Sequence, residues 1–190
     1  MGSPLAPVLA NLFMGHHENL WLENFHGSTI LFYRRYVDDT FCLFNSDRDA
    51  TIFFDYINSR HPNIKFTMEK QVNHKLPFLD VLIDNHDPSS SLTRIYHKKT
   101  FTGLLTNYFS FTSYSYKVGL IKTLVDRAYK INSTWLGFHE DINKLTDILK
   151  KNLFPAHLIN REDYKPFHYW DSKQSSSPGF PSYHFTYVLL

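Results

Sequence analysis

The sequence is poor in several features that would mark a protein class. One cysteine, Cys42, stands among 190 residues. That excludes an internal disulfide framework and fits a reducing compartment. No apolar run approaches ~18 residues, and no basic-then-apolar leader opens the chain, so neither a membrane span nor a secretory signal is expected. The expected setting is intracellular, nuclear or cytoplasmic and not secreted. The sequon Asn132-Ser133-Thr134 then reads as a polar loop. There is no internal repeat, and nothing fixes an oligomeric state.

What is present is apolar and aromatic. Hydrophobic residues make up 43% and aromatics 17%, with 17 Phe and 12 Tyr, a composition suited to a packed core. The net charge is only +2, but it is unevenly spread. Residues 94–130 hold Arg94, Lys98, Lys99, Lys117, Lys122, Arg127 and Lys130 against Asp126 alone, so this stretch carries +6 and the rest −4. A basic stripe beside aromatics is the footprint of a phosphate-backbone binder. A solvated helix face accounts for it equally well. Tyr108, Phe109, Phe111, Tyr114 and Tyr116 have two readings in the same way, as base-stacking rings or as core.

Periodicity gives a mixed chain. Ser3-Pro4 followed by Leu5, Val8, Leu9, Leu12 and Phe13 predicts a helix over about 4–24. Ile30–Tyr36 and Thr40–Phe44 predict two strands around Asp38-Asp39. A helix is predicted over 47–60, with Phe53, Phe54 and Ile57 on one face. Further strands are predicted at 64–68, 78–83 and 92–97, with a loop at 85–91. Leu120, Ile121, Leu124, Val125 and Ala128 mark a helix from about Tyr114. Ile142, Leu145, Ile148 and Leu149 mark another over 139–151, and a short element follows at 155–162. The stretch 172–182, rich in Ser, Pro and Gly, predicts a disordered or linker-like tail.

Chemistry concentrates at Tyr36-Val37-Asp38-Asp39. Adjacent acids at a hairpin tip repel, and strands deplete Asp. A divalent cation reverses that penalty, because Mg²⁺ takes carboxylate oxygens together with substrate phosphates. Two such ions clamp the attacking and leaving oxygens in nucleotidyl transfer. An ordinary Asp-rich turn is the bland alternative. His16-His17-Glu18 is a weak metal candidate because adjacent helical residues point in different directions. Cys42 reads as a small buried apolar residue.

The run Phe32-Tyr33-Arg34-Arg35-Tyr36-Val37-Asp38-Asp39-Thr40-Phe41 resembles the catalytic hairpin of reverse transcriptases. Met1 to Met14 resembles the block that precedes it, and 64–69 and 76–83 resemble later palm strands. The run Tyr96-His97-Lys98-Lys99-Thr100, with Asn107-Tyr108-Phe109-Ser110 and Lys117-Val118-Gly119-Leu120-Ile121, resembles the post-palm region of Penelope-like and related retroelement polymerases. That region is helix-turn-helix-like, and the resemblance spans about 1–155. It implies an α+β fold: a partial polymerase palm, with an antiparallel sheet and packed helices, followed by a helical thumb-like segment.

The divisions expected are a partial palm at 1–97, a helical post-palm region at 98–165 and a disordered or unrelated tail at 166–190. The implied activity is RNA-directed DNA polymerisation with two Mg²⁺ on an RNA template and DNA primer. By the same resemblance Asp38 and Asp39 are the catalytic, metal-binding pair. Gly2, Ser3, Pro4, Tyr36 and Val37 lie near primer, template or nucleotide. Lys98, Lys99, Lys117, Lys122, Arg127 and Lys130 face the nucleic-acid backbone. The family's other metal-binding Asp precedes the glycine block, and the chain opens inside that block, so this polypeptide is expected to be inactive alone. The rival reading is a non-catalytic nucleic-acid-binding remnant or a decayed retroelement product. Acids at Glu140, Asp141 and Asp147 argue against insertion of the 139–151 helix into a DNA groove.

Overall fold

The computed structural model describes residues 3–87, 90–163 and 186–189. Gly2 and nearly all of the tail expected over 166–190 lie outside them. The fold is α+β, with helices and antiparallel sheets. The chain divides into two compact units: Met1–Leu76 with Tyr183–Leu190, and Pro77–Ser182. The division therefore falls at 76/77, where the sequence reading drew it at 97/98.

The first unit opens with α1 (Ala6–Glu23). Ser3 does not cap it. Its carbonyl accepts from the Ala6 amide at 3.0 Å, closing a turn through Pro4, while Leu5 is the N-cap residue and Pro7 falls in the first helical turn. Next come β1 (Ile30–Tyr36) and β2 (Asp39–Phe44), an antiparallel pair, and then α2 (Asp47–Ser59). Ser46 caps α2 by accepting from the Asp49 amide at 3.2 Å, as a helix start requires.

Alternation decides which face of β2 is inward: Thr40, Cys42 and Phe44 are buried. Cys42 and Phe44 meet Trp21, Ala50, Phe53 and Ile57 in one core. Burial raises the Cys42 thiol pKa, with the Glu18 charge adding to the effect. Among the described residues Cys42 is a core residue and not a nucleophile.

Residues 64–68 were expected to be a strand, but the structure has none there. Ile64, Phe66 and Met68 do alternate inward against this core. Their backbone instead leans on the Asn58 side chain, which accepts from the Phe66 amide at 2.8 Å. The strand starts later, as β3 (Glu69–Lys70). β4 (Lys75–Phe78) carries the chain across the division between the units.

The sheet of the first unit runs β1-β2-β7-β3, where β7 is Thr186–Leu189. β7 pairs antiparallel with both neighbours, with Phe41 opposite Leu189 and Phe44 opposite Thr186. The end of the expected tail is thus a strand wherever it is described.

In the second unit β5 (Val81–Asp87) and β6 (Ser90–Ile95) form a hairpin, longer than the loop expected at 85–91. The single strand expected at 78–83 is broken because Leu79 adopts φ 55°. Three helices follow: α3 (Tyr114–Ile131), α4 (Trp135–Lys151) and α5 (Ala156–Asp163). Ile121, Val125, Phe138, Leu149, Leu158 and Ile159 are among the buried side chains that pack them together.

α4 begins at Trp135, ahead of the expected 139, because Thr134 accepts from the Gly137 amide at 3.1 Å. A Cβ at Gly137 would lie 2.8 Å from Asn132 Oδ1 and 2.9 Å from Thr134 Oγ1, so glycine lets the turn close. α4 ends in a Schellman motif: Phe154 N donates to Leu149 O at 3.1 Å and Leu153 N to Lys150 O at 2.9 Å. The left-handed position is filled by Leu153, at φ 66°, with its side chain half exposed. Glycine suits that conformation without strain. Leu153→Gly is therefore expected to stabilise the protein by about 1 kcal/mol, read as a higher urea midpoint at unchanged slope.

Candidate functional site

The hairpin that carries the two acids is held from below by a buried ion pair. Glu18, on α1, is 7% exposed and accepts from Arg35 Nε at 2.6 Å and from the Tyr33 hydroxyl at 2.8 Å. Arg35 uses its remaining nitrogens on Asn11 Oδ1 at 3.0 Å and on the Val37 carbonyl at 2.9 Å. One guanidinium thereby ties the helix to the first residue of the turn. Burial raises the Tyr33 pKa, and the Glu18 bond and charge add to it, so the phenol stays a donor. The sequence reading quoted Arg35 only as part of a motif and Glu18 only within a weak metal candidate. A buried acid on an otherwise apolar helix gives no sequence signal without its partner.

The turn itself is two residues long. Tyr36 and Asp39 are paired, leaving Val37 and Asp38 as the turn. Val37 sits at φ 59°, a left-handed conformation that a β-branched residue rarely adopts. Hairpin twist favours positive φ at the first turn position, and glycine or asparagine usually supplies it. Strain of this kind persists where surrounding contacts over-determine it, here the Arg35 bond to the Val37 carbonyl. Tyr36, Val37, Asp38 and Asp39 are all exposed. By donor type the two carboxylates suit a hard cation such as Mg²⁺. Among the described residues, however, no group of three or more His, Cys, Asp or Glu is arranged to hold a metal, so the residues present do not complete a two-ion site. Ser3 and Pro4 are exposed at the start of α1. His17 stacks on Trp21, with ring centroids 5.3 Å apart, rather than joining a metal cluster.

The apolar residues at the start of α1 lie outside this unit's core, which α1 joins only from Met14 onward. Leu5, Val8, Leu9 and Leu12 are exposed, Leu12 by 65%. Only Glu18 and Trp21 of this helix are buried. The helix is anchored by its second half, and its first half presents the stripe to solvent.

In the second unit α3 and α4 are joined by the short turn Asn132-Ser133-Thr134. The buried Asn132 amide donates to Ala128 O at 2.9 Å and to Asp141 Oδ2 at 3.0 Å. Ser133 and Thr93 bond reciprocally, which fixes the turn against β6. Two helices held at a tight, buried turn make a helix-turn-helix arrangement. Residues 104–162 match the family model of an animal helix-turn-helix domain. No curated protein and no solved structure matches the chain. The matched stretch excludes the carboxylate hairpin.

Two of the acids of α4 are engaged inside this unit. Arg94 reaches Glu140 at 2.6 Å and Asp141 at 3.7 Å. The candidate cations divide into two groups. Arg127 is paired with Asp80, and Lys130 with Asp126 at 2.6 Å. Lys117 donates to Ser110 O at 2.9 Å and lies over the Tyr108 ring. These three serve the fold. Lys98, Lys99 and Lys122 are exposed and have no ion-pair partner among the described residues. The aromatics divide too: Tyr108 packs on Phe154 at 5.5 Å, whereas Phe109, Phe111, Tyr114 and Tyr116 are exposed. Among the described residues, no helix is long and apolar enough to cross a membrane.

Two outcomes follow. Glu18→Ala leaves Arg35 buried without its anion and should cost about 3 kcal/mol in urea unfolding followed by Trp21 fluorescence. A Glu18→Leu, Arg35→Met double variant should recover much of that. In binding experiments, changing Lys98, Lys99 and Lys122 together to Gln should flatten a log K against log salt slope of about −2 to −3. The same changes at Lys117 and Lys130 should cost stability and leave the slope nearly intact.

Proposed function

We propose that the chain is part of a retroelement reverse transcriptase, of Penelope-like or a related type, with the first unit carrying the catalytic hairpin and the second binding nucleic acid. The observation that carries this reading is the exposed two-residue turn with Asp38 at its tip and Asp39 opening β2, on a backbone strained at Val37. Metal-dependent chemistry needs carboxylates presented rigidly to an incoming substrate. The bond from Arg35 to the Val37 carbonyl provides that rigidity from beneath the turn.

In the proposed activity, RNA-directed DNA polymerisation, Asp38 is a ligand for Mg²⁺ and Asp39 supports it. When bound, the ions would stabilise charge on the attacking and leaving oxygens. Val37 and Tyr36, both exposed beside Asp38, are placed to touch a primer end.

A second reading is favoured by the helix-turn-helix match over 104–162 and by Lys98, Lys99 and Lys122, which have no ion-pair partner among the described residues. In it the chain binds nucleic acid through the second unit and catalyses nothing. The two readings part at the hairpin.

Titration with Mn²⁺ should broaden NMR signals around Tyr36 to Thr40, and Asp38→Asn should abolish that broadening. Broadening absent at the turn would leave only the binding reading. The 190-residue chain should extend no primer on a homopolymer template with Mg²⁺ or Mn²⁺. Template-dependent incorporation lost in Asp38→Ala would instead show that it polymerises unaided.

A further inference from the structure

In the second unit the chain displays aromatic rings that its own core does not use. Phe109, Phe111, Tyr114 and Tyr116 fall within eight consecutive residues, and Phe109 and Tyr116 are 78% and 74% exposed. Rings of this size normally bury most of their area, and a cluster left in water marks an interaction surface.

The stretch is held, not loose. Asn152 Oδ1 accepts from the Leu105 amide at 3.0 Å, and Asn152 O accepts from the Tyr108 amide at 3.0 Å. The Asn107 side chain accepts from the Phe109 amide at 2.8 Å, and Lys117 secures Ser110. A fixed platform loses little conformational freedom when a partner stacks on it.

The surroundings combine hydroxyl and cationic side chains with the aliphatic Leu120. Beside Tyr116 an open hollow of ≈ 450 Å³ is lined by Thr106, Thr112, Ser115 and Thr123 together with Lys117, Gly119 and Leu120. Ser115, Gly119 and Lys122 follow one another at helical spacing on α3, so they share a face. A Cβ at Gly119 would meet nothing within 4 Å, which leaves that face open to close approach. Lys122 stands on it without an ion-pair partner among the described residues.

We infer that this surface binds single-stranded RNA, with unpaired bases stacked on Phe109, Phe111, Tyr114 and Tyr116, ribose hydroxyls in the hydroxyl-lined hollow and phosphate at Lys122. Exposed ring faces require bases that are not already stacked in a duplex. The hydroxyl lining selects the ribose, because the 2′-OH both donates and accepts.

The inference rests on reading the second unit as a nucleic-acid binder. The test is fluorescence anisotropy of the whole chain with a labelled oligouridylate, the matching oligothymidylate and an RNA duplex at one salt concentration. The oligouridylate should bind tightest. Phe109→Ala and Tyr116→Ala should each weaken it roughly tenfold without changing the salt slope or the melting temperature, since both side chains are exposed. Tyr116→Phe should keep the stacking contribution.

Equal or tighter binding of the thymidylate or the duplex would overturn the assignment to single-stranded RNA. Salt-sensitive binding that ignores both ring removals would overturn the stacking surface while leaving nucleic-acid binding standing. No binding to any of the three would sink both. Self-association in sedimentation that disappears with the ring variants, without nucleic-acid binding, would mark a protein interface instead.

Discussion

The first unit turns on the Arg35 guanidinium. Its partners are a buried carboxylate on α1, an amide on the same helix and the carbonyl that opens the hairpin turn. Arginine suits this position because its planar fork offers several donors in fixed directions. The charge is neutralised by Glu18, and Tyr33 takes part of that carboxylate's remaining capacity. A pair so placed adds little net stability over apolar residues of the same volume, yet removing one partner is costly. What it provides is direction: the helix and the turn cannot rotate independently while the guanidinium bridges them. The left-handed Val37 is affordable only under such a constraint.

Much of this was legible in the sequence. The strand boundaries at Ile30–Tyr36 and the placement of Asp38 in the turn follow from aromatic and β-branched runs interrupted by acids, although the turn is Val37-Asp38 and Asp39 already opens β2. The α3 stripe through Ile121, Val125 and Ala128 is buried as its spacing implies. Local pattern failed where a long-range partner decides the outcome. Ile64, Phe66 and Met68 alternate like a strand but have no ladder to join. Leu5 to Leu12 repeat like a buried face, yet burial depends on what lies opposite, which spacing does not encode. Among the cations, charge alone could not separate Arg127, held by Asp80, from Lys122, which stands free of any ion pair among the described residues.

The second unit shows a comparable economy at its turn. Asn132 is fully buried and links the end of α3 to Asp141 inside α4. Asp141 is also approached by Arg94 from β6 and by Lys144. Helix, turn and strand are thereby locked through a single acid. That locking removes α4's first turns from any role as a free acidic surface and leaves the outward face of α3 as the more open one.

The position of β7 in the sheet has a kinetic consequence. β2 is an inner strand only because Thr186–Leu189 lies beside it, and Phe41 pairs with Leu189, 148 positions further along the chain. The second unit is thus an insertion within the first along the sequence. Contacts of such high sequence separation form late, because a long loop must close before they give any return. During synthesis the helical unit has all its residues before the sheet can be completed. Until then β2 has one open side, and the hairpin with its two acids leans on α1 and α2 alone.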